Sequence, residues 1–91
     1  MIIKQTEDGN KGMFYVKENE EVVAEMTYRK EGNNLVIDHT EVDESLRGKN
    51  VGYQLVNRGV EYARESNLKI VPLCAFAKSV IEKTPEFQDV L

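Results

Sequence analysis

The sequence predicts an α/β domain, with an antiparallel meander of four strands, a crossover helix, a fifth strand parallel to the fourth and a short terminal helix. Three observations predict it. Apolar residues alternate with period two in the first half of the chain, most plainly from Val22 to Arg29. They then recur at helical spacing from Gly52 to Ala63. Between the two patterns, a β-branched run ending at Val42 gives way to a polar loop with Arg47, Gly48 and Lys49, as a strand feeding a helix would.

Taken in order, Ile2 and Ile3 open a first strand that ends at the turn-rich segment Glu7 to Gly12. Met13 to Lys17 forms the second, and Glu18-Asn19-Glu20 turns it back as a hairpin. In the third strand, Val22, Ala24, Met26 and Tyr28 share one face, and Glu25, Thr27 and Arg29 share the other. After the turn Gly32-Asn33-Asn34 comes the strand Leu35 to Val42. Its pattern is mixed, because Leu35 and Ile37 share a face with His39 and Glu41; a β-bulge between Asp38 and Glu41 resolves this by switching faces.

The helix begins near Asn50 and runs to about Glu65. Gly52, Leu55, Val56, Gly59, Val60 and Ala63 form one stripe, while Gln54, Asn57, Arg58, Glu61 and Arg64 face water. Gly59 costs the helix roughly 1 kcal/mol relative to Ala, so close packing against the sheet is expected to compensate. Lys69 to Leu73 is the fifth strand, and a right-handed crossover makes it parallel to the fourth. Pro72 has no N–H to give a ladder, which places it where pairing has ended and a cleft opens. Phe76 to Lys83 is the last helix; Pro85 stops it, and Phe87, Val90 and Leu91 fold back on the core.

Ninety-one residues make one domain, residues 1–91, able to bury about 60% of its unfolded surface. Sixteen acidic against twelve basic residues give a net charge of −4, with no basic stripe, which disfavours nucleic acid as a partner. There is no apolar run near the ~20 residues of a membrane span and no leader pattern, so the expected location is cytoplasmic, away from the membrane. A single cysteine excludes an intramolecular disulfide and leaves too few thiolates for structural zinc. No metal is called for. A core this small, beside an open cleft, suits a monomer or a homodimer.

The strand-loop-helix stretch is where chemistry is expected. Free N–H groups of the loop and helix N-terminus converge there with the positive end of the helix dipole, which suits a phosphate or pyrophosphate. Gly48 and Gly52 leave room for an anion to approach the backbone. Val42-x-x-x-x-Arg47-Gly48-Lys49-x-Val51-Gly52 resembles the acetyl-CoA signature of the GCN5-related N-acetyltransferases, Arg/Gln-x-x-Gly-x-Gly/Ala after a strand. The element order resembles that family's core across residues 1 to 83, in the manner of its small single-domain members.

The resemblance implies an acetyl-CoA-dependent enzyme acting on an amine. It implies that the loop and first helical residues Arg47, Gly48, Lys49, Asn50, Val51, Gly52 and Tyr53 bind the cofactor's pyrophosphate end. Thr40 and Val42 are implied as backbone partners of the pantetheine arm. Asn50 stands where the family has its first glycine; Asn tolerates left-handed backbone angles and is also a good helix N-cap.

Transfer from a thioester needs the amine deprotonated and the leaving thiolate protonated. The family pattern Asn-x-x-Ala-x-x-x-Tyr-x-Lys falls on Cys74, Ala77, Ile81 and Lys83, so the usual tyrosine acid is absent. Cys74, just before a helix, is either a core residue or a reactive thiol that takes the acetyl group or protonates the leaving group. His39 and Glu41, upstream of the loop, are candidate bases, His39 being the one side chain whose ordinary pKa lies near neutrality. Arg47 and Lys49 are otherwise ordinary solvated loop charges. The runner-up function is a non-catalytic module that binds acetyl-CoA or coenzyme A.

Overall fold

The computed structural model describes all 91 residues. The strands are β1 (Lys4–Asp8), β2 (Lys11–Glu18), β3 (Glu21–Glu31), β4 (Asn34–Val42) and β5 (Lys69–Pro72), and the helices are α1 (Val51–Glu65) and α2 (Ala75–Lys83). Short 3-10 turns follow β4, at Glu44–Leu46, and α2, at Pro85–Val90. Sheet order equals chain order; β1 to β4 are antiparallel and β5 runs parallel to β4, as the sequence predicts.

Two irregularities set which side chains face the core. At the β2–β3 hairpin, Asn19 (φ 50) and Glu20 (φ 69) are both left-handed, the backbone of a two-residue turn whose twist matches the strands. Pairing then jumps from Lys17↔Val22 to Val16↔Ala24, leaving Val23 as the extra residue. Val23 therefore packs against the core while Val22 is 43% exposed, which corrects the expectation that Val22 shares the face of Ala24, Met26 and Tyr28. The second irregularity is the expected one in β4. Thr27 pairs with His39 and Tyr28 with Ile37, so Asp38 is the bulged residue.

Eighteen buried residues make one core between the sheet and the helices. The whole α1 stripe is buried, together with Val51. At Gly59 an added Cβ would stand 2.8 Å from Met26 Cε, so the bare backbone is what lets α1 sit this close to β3. Phe87 and Val90 fold back as expected, but Leu91 is 50% exposed and takes no part in the core. Ile2 is also outside it, 74% exposed, and β1 starts only at Lys4. Val36, 3% exposed, lies outside the core cluster. It points to the other face, which no helix covers, between its strand neighbours Arg29 and Val71.

The far end of the sheet is fixed by a polar network. Tyr62 and Tyr28 donate to Glu7 Oε1 at 2.7 and 2.8 Å, and Lys30 reaches Glu7 Oε2 at 2.9 Å. Burial pushes the Tyr28 hydroxyl well above its ordinary pKa, so it remains a donor. Gly12 lies beneath this group, where an added Cβ would be 2.5 Å from Tyr28 Oη and 2.6 Å from the Thr6 carbonyl.

Candidate functional site

β4 and β5 pair only from Asn34↔Lys69 to Ile37↔Pro72. The Leu73 and Cys74 N–H groups both donate to the Ile37 carbonyl, at 2.9 and 3.1 Å, and the ladder stops there. Asp38 bulges at the same level, so the rest of β4 carries on without a partner on that side. Pro72 is thus the last paired residue rather than one beyond the ladder. Because Leu73 N–H points at β4, the nitrogen of Pro72 points to the outer edge, where no donor is missed.

The parted strands are bridged once. Cys74 Sγ lies 3.4 Å from Thr40 Oγ1, the contact joining the residue that precedes α2 to unpaired β4. Burial pushes the Cys74 thiol up, but the Thr40 hydroxyl and the nearby amide dipoles of Ala77 and Phe76 outweigh it, and its pKa lies below that of an ordinary thiol. His39 and Glu41 lie on the opposite face. They pair with Thr27 and Glu25, whereas Thr40 pairs with the core residue Met26. His39 Nε2 and Glu41 Oε2 are 3.3 Å apart and well exposed. The structure therefore brings Cys74 and Thr40 together and sets His39 with Glu41 apart from them.

The loop after β4 is built from its own sequence. Asp43 accepts from the Ser45 N–H at 2.8 Å, and this backbone bond holds its carboxyl below the usual carboxylate range. Leu46, 4% exposed, pins the turn to the core. Gly48 (φ +80) and Asn50 (φ 60, ψ 27) are both left-handed, a conformation that Gly and Asn adopt most readily. Asn50 makes no side-chain cap, so its tolerance of left-handed angles is the property used.

The consequence is a row of open donors. Leu46, Arg47 and Lys49 spend their N–H groups on carbonyls within the turn, and Gln54 N–H bonds Asn50. The N–H groups of Gly48, Asn50, Val51, Gly52 and Tyr53 have no backbone acceptor. Four of these, Asn50 to Tyr53, line a cleft of about 410 Å³ between this loop and α2. Its apolar wall includes Val42, Leu46, Phe76 and Val80, and its charged side chains are Arg47 and Lys83. Arg47 is largely free, 79% exposed, with Glu44 3.6 Å away.

Of the residues expected here, Val42, Arg47 and Asn50 to Tyr53 line the cleft. Gly48 shapes the loop without lining it, and Lys49 faces a separate hollow with Met1, Glu18 and Gln54. Sequence reasoning missed Phe76, Val80 and Lys83. Their i, i+4, i+7 spacing was visible, but it reads as an ordinary helix face until α2 is placed beside α1. The Phe76 ring covers Gly52, where an added Cβ would be 2.5 Å from Cζ. Gly52 therefore gives room to a ring as well as a backbone open to an anion. Tyr53 stacks on Phe87, ring centroids 5.4 Å apart, which ties the cleft to the C-terminal turn.

No group of three or more His, Cys, Asp and Glu side chains is placed to hold a metal. No helix is long and apolar enough to cross a membrane.

Comparison with known proteins agrees with this geometry. The family model for GCN5-related N-acetyl-transferase matches residues 13–90. A GCN5-like protein from Staphylococcus aureus, solved by NMR, is 43% identical, with a TM-score of 0.75 over 96% of this chain and 85% of that one. A ribosomal-protein-alanine N-acetyltransferase from Brucella melitensis biovar Abortus shares the fold at 16% identity, with a TM-score of 0.68 over 84% of this chain and 62% of that one. A GNAT family acetyltransferase from Elizabethkingia anophelis, solved with acetyl-CoA bound, does so at 18% identity, with a TM-score of 0.59 over 69% of this chain and 42% of that one. A search of curated proteins gave no match. With the parted strands, the amide-lined loop and a family model covering most of its length, the chain belongs to the GCN5-related N-acetyltransferase family.

Proposed function

We propose that residues 1–91 act as one N-acetyltransferase domain that uses acetyl-CoA and passes its acetyl group to an amine. The observation that carries this reading is the row of unpartnered N–H groups from Asn50 to Tyr53, opening on a cleft whose only charged side chains are cations. A polyphosphate needs such donors, and a chain of net charge −4 supplies them only locally. Arg47 adds a guanidinium suited to phosphate oxygens. Val42, Phe76 and Val80 give the apolar contact a pantetheine arm can use.

Acetyl-CoA, when bound, supplies an activated acetyl group. The residue proposed to handle it is Cys74; its lowered pKa and its contact with Thr40 at the point where the strands part support that role. Its Sγ can carry the acetyl group as a thioester or return a proton to a leaving thiolate. Ile81, standing where the family pattern has tyrosine, is fully buried and offers no acid. His39 and Glu41 are the groups proposed to take the proton of the amine, from the uncovered face of β4.

An amide NMR titration with acetyl-CoA, with intact mass recorded on the same sample, tests this. Saturable shifts in residues 47–53 support binding, and a 1:1 acetyl adduct that Cys74→Ala abolishes supports the thiol's role. Shifts without an adduct or acetylation of any amine would point to a binding module instead. A silent loop would end the reading.

A further inference from the structure

We infer that Lys78 is a site of self-acetylation, taking the acetyl group from Cys74 when no other amine is bound. This rests on the thioester role proposed for Cys74 above. Cys74 is the residue before α2 and Lys78 closes its first turn, the Lys78 N–H donating to the Cys74 carbonyl at 3.0 Å. At 1.5 Å per residue the two lie about 6 Å apart along the axis, close to one full turn, and so on one side of the helix. Helix side chains lean toward the N-terminus, which directs the four-carbon stem of Lys78 back toward Cys74. Lys78 is exposed and belongs to none of the ion pairs of the molecule, so no carboxylate holds its nitrogen away from the thiol.

Of the eight lysines, no other is placed this way. Lys4, Lys11 and Lys17 are on β1 and β2, at the far side of the sheet order from β5. Lys30 is held by Glu7, Lys69 by the Asp89 carbonyl at 2.9 Å, and Lys49 faces its separate hollow. Lys83 stands on the cleft wall, about 13 Å along the α2 axis from Cys74. Lys78 does not line the cleft, whereas Phe76, Val80 and Lys83 do. An amine must reach the acetyl carbon from a side that the cofactor leaves open, and Lys78 meets that condition. The acetyl group moves twice. The Cys74 thiolate attacks the acetyl carbonyl, and coenzyme A leaves as its thiolate. The neutral Lys78 amine then attacks the new thioester: the C–N bond forms as the C–S bond breaks, Cys74 is released as thiolate, and the proton lost by nitrogen passes to water. The product is an amide and no acyl donor, so the acetyl group stays on Lys78.

Incubating the chain with acetyl-CoA in a buffer free of amines tests the assignment. Peptide mass spectrometry, with and without hydroxylamine, maps the acetyl groups, since hydroxylamine cleaves thioesters and spares amides. A short flexible tether gives an effective concentration of millimolar order, so at about 0.1 mM acetyl-CoA Lys78 should be acetylated roughly tenfold faster than the mean of the other seven lysines. Cys74→Ala should bring Lys78 down to that mean. Lys78→Arg, which keeps the charge on an exposed position and removes the nucleophilic amine, should leave a hydroxylamine-labile acetyl group on Cys74. Lys78 acetylated no faster than the mean, or equally fast in Cys74→Ala, would overturn the assignment, and a labile adduct on Cys74 in the same experiment would leave the thioester role standing. If neither residue were modified in any of the three proteins, the thioester role of Cys74 would itself fall, and this site with it.

Discussion

Cys74 Sγ and Thr40 Oγ1, 3.4 Å apart, are the one side-chain link across the gap that opens where β4 and β5 stop pairing. The bulge at Asp38 creates the relationship: by switching faces it puts Thr40 on the core side and His39 on the other.

The link makes the thiol's acidity testable. A group whose folded pKa lies below its unfolded value is ionised earlier as pH rises, so Cys74 should alkylate at half-maximal rate at a lower pH in the native chain than in urea. Thr40→Val removes the hydroxyl partner at nearly constant volume and should move that midpoint upward, toward the ordinary thiol value. An iodoacetamide pH profile of both proteins reads it. An unchanged midpoint would mean that the amides of Phe76 and Ala77 act alone.

Glu7 gives a prediction about acid stability. The Tyr62 hydrogen bond lowers its pKa most among the favourable partners, burial opposes this, and Lys30 and Tyr28 add to the lowering. Since the folded value is depressed, the stabilisation is present above the unfolded pKa and is lost as pH falls through the folded one. Glu7→Gln should therefore be less stable than wild type near pH 7, and the gap should close below about pH 4. Urea midpoints across pH 3 to 7 would check the sign. A gap that widened in acid would refute it.

Gly12→Ala should destabilise by about 2 kcal/mol, within the range for forcing a methyl into a packed site. The Tyr28 hydroxyl and the Thr6 carbonyl both stand where the new Cβ would go, and the carbonyl belongs to a paired strand that has little room to shift. Chemical denaturation measures the change. By contrast, the methyl of Gly52→Ala meets only the partly exposed ring of Phe76, so its effect should fall on cleft shape and ligand affinity more than on stability.

Phe87→Ala should cost roughly 3 kcal/mol, the usual scale for truncating a buried aromatic. Phe87 is 4% exposed and stacks on Tyr53, while the bonds from Arg64 to Asp89, at 2.7 and 3.0 Å, hold the same turn from outside. Thermal melts of Phe87→Ala and Asp89→Ala would rank the two. The exposed ion pair should matter far less.

The sequence made most of this legible where periodicity is local. The α1 stripe needed no tertiary information, because 3.6-residue spacing alone separates its buried face from its wet one, and the mixed pattern of β4 carried its own bulge. What escaped depended on geometry that no short window contains. Val22 alternates correctly with Ala24, and only the extra residue at the hairpin turns it outward. Leu91 looks like a third anchor beside Phe87 and Val90, but the 3-10 turn ends at Val90 and leaves it in water. Arg47 and Asn50 to Tyr53 were readable in the loop as cleft residues, whereas Lys83 became one only when α2 was laid against α1.

Pro72 has an effect beyond the cleft. β5 is the terminal strand of the sheet, four residues long, and its outer edge is where the proline nitrogen points. A foreign strand docking there would find a gap in the row of donors and too short a template to register against. The residue that closes the β4–β5 ladder without costing it a donor thus also keeps the sheet from growing, and protects an edge that would otherwise invite aggregation.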